Sequence, residues 1–391
     1  MPRKTDMPRH DYDIIIAGMG CAGLSLAVRL SEEGLTAGKK ILLIDRERKN
    51  TNNRTWCYWE TGTGPFEDIV YRSWEKAWFH SSTFSTLLSL SPNRYKMIRG
   101  IDFYDHCMQR VGSDPAFDVR YEEVQRVDTV NGQATCTTRE NVYESPFLFN
   151  SILFGKPELR ADQFYLLQHF KGWVIRTDKP FFDPAKATLM DFRPHQGHGT
   201  TFVYVMPFSE TEALVEYTLF TESLLDEQEY TEGLRLYLKG QLGLSDWEIL
   251  EEEFGVIPMT NYDFPRREGA VLNIGTAGGM TKASSGFTFR FIQKDTAAIV
   301  DSMKRTGSPF NSYGQAKRFK WYDSVLLHIL SQNMLPGARV FTELFRKNPS
   351  QKILRFLDNE TSFGEEVRIL WSLPQWPFMK AGIREGMKLR S

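Results

Sequence analysis

Residues 12–23 read YDIIIAGMGCAG, an isoleucine-rich apolar run that breaks into glycines. Tyr12–Ala17 has the continuous apolarity of a strand buried on both faces in a parallel sheet. Next, Leu24–Leu30 carries apolar residues at helical spacing and Gly34 and Gly38 close that helix. Lys40–Ile44 (KILLI) is then a second buried strand ending at Asp45. Strand, helix and strand make a βαβ unit of about 30 residues, the usual size. Gly18, Gly20 and Gly23 form the pattern G-x-G-x-x-G between strand and helix. Gly18 permits the tight turn, Gly20 lets a pyrophosphate approach the backbone, and Gly23 lets the helix pack on the strand. The helix N-terminus at Cys21 and Ala22 offers unpaired N–H groups and a positive dipole end to an anion. Asp45 is placed to accept hydrogen bonds from ribose hydroxyls. A bare glycine turn needs none of these neighbours. The unit reads as a dinucleotide site.

Two features favour FAD over a nicotinamide nucleotide. No second strand–glycine-turn–helix fingerprint follows the first. Instead the apolar strand Ala270–Ile274 (AVLNI) leads into Gly275-Thr-Ala-Gly-Gly279, and Phe287–Met303 beyond it looks helical. In flavoproteins of the glutathione-reductase type, a segment so placed packs on the ribityl–pyrophosphate part and presents a helix end to the flavin ring. There it would stabilise a reduced, anionic isoalloxazine. The alternative is a plain loop of small residues. The expected cofactor contacts are Gly18, Gly20, Cys21, Ala22, Gly23, Asp45, Arg46, Arg54, Gly275, Gly278, Gly279 and Gly286.

The chain has 391 residues, enough for two or three lobes and a sizeable core. With 41% hydrophobic and 25% charged residues it is not a disordered sequence. Lys+Arg of 48 against Asp+Glu of 49 gives a net charge of −1, so no global basic field exists and no nucleic-acid partner is expected. Aromatics reach 13%, which suits cores, flat cofactors and apolar ligands alike. Cys21, Cys57, Cys107 and Cys136 are scattered without C-x-x-C pairs, so no metal site is expected and a reducing cytoplasm fits. No apolar h-region follows the basic residues of MPRKTDMPRHD, and no charge-free stretch is long enough to span a bilayer. The expectation is a cytoplasmic protein, soluble or resting on a membrane.

The expected fold class is α/β: a glutathione-reductase-type, Rossmann-like FAD-binding fold with an antiparallel-sheet substrate lobe and a C-terminal helical region. Its expected parts are 1–155 for the first FAD-binding segment, 156–255 for the substrate lobe, 256–305 for the returning FAD-binding segment, and 306–391 for the helices. Asn131–Gly132 marks a hairpin turn, and WVIRT, ATLMDF, TTFVYVMPF and ALVEYTLF are the strands of the second lobe. The stretch Arg54–Trp59 (RTWCYW) is aromatic without a readable period.

Taken together, several segments resemble the bacterial lycopene β-cyclases over nearly the whole chain. They are the glycine motif, LLIDRE, NNRTWCYW (Asn52–Trp59), LLQHFKGW (Leu166–Trp173) and TLMDFR (Thr188–Arg193). TFVYVMPFSETEALVEYT (Thr201–Thr218), IPM (Ile257–Met259) and IGTAGGMTKASSGFTF (Ile274–Phe289) complete the set. The resemblance implies an enzyme, an isomerase of the intramolecular-lyase class, that binds FAD and needs it reduced by NAD(P)H. It implies redox-neutral cyclisation of the ψ-ends of lycopene, through a monocyclic intermediate, to β-carotene. It also implies that Glu216, in Val215-Glu216-Tyr217-Thr218, is the acid tied to catalysis. Protonating an alkene at neutral pH requires a carboxyl kept protonated by burial, and Leu214, Val215, Tyr217, Leu219 and Phe220 supply such a neighbourhood. The family commonly has a second acid where this chain has Tyr217, so two carboxylates are not expected at that spot. Asp191 is the second catalytic candidate, with a structural hydrogen-bonding role as its rival. Arg54, Thr55 and Trp56 line flavin or tunnel, or merely pack; His169 reads as a structural hydrogen-bonder.

An apolar C40 substrate implies peripheral docking on a membrane surface. Trp371, Trp376 and Phe378 beside Lys380, Arg384, Lys388 and Arg390 suit such a contact, or else pack on the core. The oligomeric state is left open. So are two rival functions, a flavin monooxygenase or prenyl-chain reductase, and a non-enzymatic prenyl-lipid carrier.

Overall fold

The computed structural model describes residues 7–310 and 314–388, the last for its backbone alone. Ile14–Ala17 and Ile41–Asp45 lie side by side in parallel, every residue of both buried. Phe147–Asn150 and Val271–Asn273 extend this sheet on one side and Phe117–Tyr121 on the other, all in parallel. Arg267–Glu268 adds an antiparallel edge, making six strands. Helix α1 (Cys21–Glu32) makes the crossover, and α2 (Gly100–Ser113) joins it in one apolar cluster with the sheet. A four-stranded sheet flanks this core. Its hairpin turns at Asn131 and Gly132, both at positive φ, the geometry of a tight two-residue turn.

The second lobe is a seven-stranded sheet in the order Glu248–Thr260, Tyr165–Arg176, Glu212–Thr221, Thr200–Pro207, Lys186–Asp191, Lys76–Ser81, Phe84–Ser89. It is not confined to 156–255. Two of its strands come from within 1–155, one of them pairing in parallel with Lys186–Asp191, and the first strand runs past residue 255. The aromatic stretch after Arg54 becomes the strand Thr55–Thr61, paired with Asn93–Arg99 in a three-stranded sheet between the lobes. One face of the large sheet is covered by α3 (Glu227–Leu236), whose Tyr230 and Leu234 pack with Val203, Val215, Tyr217 and Leu219.

After Val271–Asn273 the chain makes a tight turn, and α4 (Phe289–Thr306) returns onto α1. Gln293 Nε2 donates to Ser25 Oγ at 2.9 Å and Arg29 Nε to Thr296 Oγ1 at 3.1 Å. The C-terminal region is α5 (Lys317–Ser331), α6 (Gly337–Lys347), α7 (Ser350–Leu357), α8 (Phe363–Ser372) and α9 (Gln375–Lys388). Pro336, Pro349 and Pro374 stand just before α6, α7 and α9, where a missing N–H costs no helical bond. These helices cover the other face of the large sheet: Phe341 stacks on Phe192 and meets Phe220. His328 Nδ1 and Glu385 Oε1, 2.7 Å apart and buried, tie α5 to α9. Among the described residues no helix is long and apolar enough to cross a membrane.

Candidate active site

A cleft of about 510 Å³ runs from the first glycine turn to the large sheet. Gly18 has φ +98°, and a Cβ there would stand 2.2 Å from Ser151 Oγ. A Cβ on Gly23 would stand 1.9 Å from the Gly18 carbonyl oxygen, so helix and strand touch because this residue has no side chain. Gly20 is the opposite case: a Cβ would meet nothing within 4 Å, which leaves open space over the α1 N-terminus. Gly18, Gly20, Cys21, Ala22, Asp45, Arg46, Arg54, Gly275 and Gly286 all line the cleft. Asp45 Oδ2 accepts from the Met19 N–H at 2.7 Å and Oδ1 from Lys49 Nζ at 3.1 Å, so the glycine loop itself orients this carboxylate. Burial pushes the Cys21 thiol up to about 12, which leaves it a packing residue.

Three expected contacts fall elsewhere, and one is Gly23, which serves the helix–strand contact instead of lining the cleft. Gly278 and Gly279 are absent from the cleft walls. A Cβ on Gly278 would lie 2.2 Å from the Asn273 carbonyl oxygen, and Gly279 closes the turn. Their requirement for glycine comes from folding the return segment back on its own strand.

At the far end of the cleft the large sheet supplies its chemistry. Gly172, in the middle of Tyr165–Arg176, stands opposite Glu216 on one neighbouring strand and opposite Glu253 on the other. Directly paired residues share a face, so the two carboxyls lean toward each other over a position without a side chain. A Cβ on Gly172 would meet Glu253 Cγ at 2.9 Å. Both acids are buried, Glu216 at 8% exposure and Glu253 at 9%. Thr218 Oγ1 donates to Glu216 Oε1 at 2.8 Å and Thr55 Oγ1 to Glu253 Oε2 at 2.8 Å, while Glu253 Oε1 has no partner. Among the described residues neither acid has a salt bridge to a cation. Burial, then the charge of Glu253, holds Glu216 well above the usual carboxylate range, and burial raises Glu253 as well. The pair therefore titrates as one unit and retains a proton where a surface carboxyl has lost it. Tyr204, in register with Glu216, and Tyr95 complete the wall; burial pushes both phenols well up, so they remain neutral rings.

Glu253 is the site residue that sequence reasoning did not find. Glu251–Glu253 looks like a solvated charge run, and in a strand only alternate members face inward. The usable signal was Gly172, a glycine inside a bulky strand, which marks a close approach.

The structure also relocates Asp191. It is fully buried, but it lies on the α3 face and does not line the cleft. Arg193 Nε donates to its Oδ1 at 2.9 Å and the Tyr237 hydroxyl to its Oδ2 at 2.9 Å. Asp191 is thus the anion of a structural ion pair; strand alternation and the bulge beside it settle which way it faces. Tyr217 likewise faces α3, its ring under Gly233. His169 bonds Thr221 Oγ1 at 2.6 Å and the Tyr230 hydroxyl at 2.5 Å; burial lowers its pKa to about 4, so it is a neutral hydrogen-bonder. Thr55 and Trp56 do line the cleft, beside Arg54. Of the basic C-terminal residues, Arg390 and the Lys388 side chain lie outside the described residues.

The family model for lycopene cyclase protein matches residues 13–382. The chain belongs to the lycopene cyclase family. A lycopene beta-cyclase of Pantoea ananas is 22% identical over 391 residues, covering 95% of this chain and 97% of that protein. Capsanthin/capsorubin synthase of Capsicum annuum is 26% identical over 304 residues, 72% of this chain, but this lycopene cyclase family member spans only 58% of that protein's length. Among solved structures, HpxO of Klebsiella pneumoniae, complexed with FAD, matches with a TM-score of 0.56 at 15% identity. The match covers 93% of this chain and 99% of that one. At that identity the match establishes the fold, a glutathione-reductase-type FAD fold.

Proposed function

We propose that this chain is a lycopene β-cyclase that binds FAD, takes its electrons from NAD(P)H, and closes the ψ-ends of lycopene to β-rings without net redox change. The observation that carries the reading is Glu216, a buried carboxyl in the cleft, next to a second acid and with no salt bridge to a cation.

The residues fit the cofactor. Open space over Gly20, the α1 N-terminus at Cys21 and Ala22, and Asp45 suit pyrophosphate and ribose, with Arg46 and Arg54 at the rim. Gly275, Gly286 and Thr288 line the stretch leading to the start of α4 and suit the ring. When bound, the reduced flavin supplies negative charge beside the cleft. The remaining chemistry belongs to the chain. Thr218 holds Glu216 Oε1 as the acceptor oxygen, which leaves Oε2 to carry the proton. Glu216 passes that proton to the terminal double bond, and a tertiary carbocation forms. Tyr95, Tyr204, Trp56 and Phe170 line the cleft, and aromatic rings there would favour a cation and exclude water. The neighbouring double bond closes the ring, and the carboxylate left on the dyad takes up the proton that the ring loses. Substrate and product are isomers, and the acid is regenerated.

An apolar substrate calls for contact with a bilayer. Trp371, Trp376, Met379, Ile383 and Met387 are exposed on α8 and α9, beside exposed Lys380 and Arg384. Aromatics and cations on one surface suit the headgroup region of a membrane, so the proposed setting is peripheral, at the cytoplasmic leaflet.

The test is production in lycopene-accumulating bacteria, followed by anaerobic turnover with FAD reduced by dithionite. The expected product is cyclic and has the mass of lycopene. A change of mass with stoichiometric NAD(P)H consumption would move the chain to the monooxygenases or reductases. A colourless protein that takes up no flavin would make it a carrier.

A further inference from the structure

We propose that a second cavity, enclosed by the C-terminal helices α5–α9, binds the unreacting length of an apolar polyene while its end lies at Glu216; this rests on the function proposed above. The cavity holds about 470 Å³ and is lined by Leu326, Phe341, Leu344, Leu357, Leu370 and Phe378. The space is open to the surface on one side, and an apolar concavity of this size is of ligand dimensions.

Its chemistry selects against polar occupants. The ionisable groups in the wall are Asp323 and Tyr322. Lys282 Nζ donates to Asp323 Oδ1 at 2.8 Å, and the Tyr322 hydroxyl donates to Glu366 Oε2 at 3.0 Å. Gln375 spends its amide on the Leu373 carbonyl at 2.7 Å. A polar ligand would lose its water and gain few partners, whereas a hydrocarbon chain loses nothing.

Position then links the cavity to the cleft. Ser284 lines the cavity, and the next three residues, Ser285, Gly286 and Phe287, line the cleft. Both spaces lie on one face of the large sheet. Leu214, Glu216 and Phe220 alternate along one strand, and Phe220 meets Phe341 of α6 at a ring distance of 6.3 Å. The outer end is equally specific. Trp371, Met379 and Ile383 belong to the cavity wall and are also 71%, 55% and 62% exposed. The cavity therefore opens at the apolar surface assigned to the membrane and leads inward to the turn beside the acid. A linear polyene entering by that mouth keeps its length among aliphatic side chains, away from the polar rim of Asp45, Lys49 and Arg54.

The probe is all-trans-retinol, an apolar polyene that accepts excitation from tryptophan, and Trp321 and Trp371 stand in the wall. The holoenzyme should bind it saturably, with energy transfer that drops in Trp321→Phe and Trp371→Phe while affinity holds. Leu370→Trp fills the space and Ile383→Asp, on an exposed side chain that folding does not need, places a charge at the mouth. Each should weaken retinol binding and raise the KM for lycopene about tenfold or more, with flavin absorbance unchanged. Equal retinol binding by wild type and both variants, or energy transfer indifferent to Trp321 and Trp371, overturns the proposal. Glu216→Gln must bind retinol like wild type. Retinol bound at this place by a protein that forms no rings removes the functional reading and leaves the cavity. Rings formed at an unchanged KM by both variants remove the cavity and leave the function.

Discussion

The two faces of the large sheet each bury a carboxylate, and they put it to opposite uses. On the α3 face Asp191 is fully enclosed, but Arg193 and the Tyr237 hydroxyl donate to it, so its charge is matched where it stands. On the cleft face Glu216 has a hydroxyl and another acid for company. Burial alone does not make an acid catalyst. With a cation in contact, burial produces a fixed ion pair; with a second carboxyl in contact, it produces a retained proton. The faces also differ in what lies beyond them. Tyr237, just past the end of α3, closes over Asp191, whereas a 510 Å³ cleft opens over Glu216.

That contrast can be broken at either side. The largest effect is expected from Glu216→Gln, which keeps the shape and removes the proton donor. Ring formation should fall by about 10²–10⁴-fold, the usual worth of a general acid, with flavin uptake unchanged by absorbance. Asp191→Ala should do the reverse. It leaves the partly exposed Arg193 and the buried Tyr237 hydroxyl without their acceptor, so denaturant unfolding should show a loss of about 1–3 kcal/mol, while activity per folded molecule stays near wild type. Tyr217→Asp tests whether an acid one residue along can serve. That side chain faces α3 under Gly233, so the variant should lose roughly 2–3 kcal/mol of stability and gain no activity.

Glu253→Gln sharpens the comparison with a smaller change. Glu216 works in its acid form and its pKa is raised, so activity should persist at neutral pH and fall as pH rises through the raised value. Removing the neighbouring negative charge lowers that value. The falling limb of the pH–rate profile should move toward lower pH by about one unit, with a rate loss that grows to about tenfold only on the alkaline side of the wild-type limb. An unchanged profile would remove Glu253 from the proton-holding unit.

Much of this was legible in the chain. The βαβ unit from Tyr12 to Asp45 is local: period, glycine spacing and strand end all lie within one continuous segment, Gly18 and Gly23 stand where a side chain would clash, and Gly20 leaves open space. Glu216 is singled out by the resemblance to the lycopene β-cyclases, and its apolar strand neighbours agree with a buried acid. Strands Lys76–Ser81 and Phe84–Ser89 pair with each other and could not be assigned to the substrate lobe, because the strand that joins Lys76–Ser81 to it, Lys186–Asp191, lies about a hundred residues away. The roles given to Gly278 and Gly279 failed for a related reason. A glycine needed for ligand approach and one needed for chain reversal look alike in sequence, and only the atoms facing the absent Cβ tell them apart.

From the residues alone follow the dinucleotide turn, the parallel core and the helical C-terminus, because each depends on periodicity or on a side chain's own chemistry; the acid at Glu216 comes from the family resemblance. Folding in three dimensions decided the rest: that Glu253 meets Glu216 across Gly172, that Asp191 meets an arginine, and that five helices enclose an apolar space behind the site. Those are questions of register and of which face a residue takes. A shift of one residue reverses both, and no stretch of sequence read by itself contains the partner that sets it.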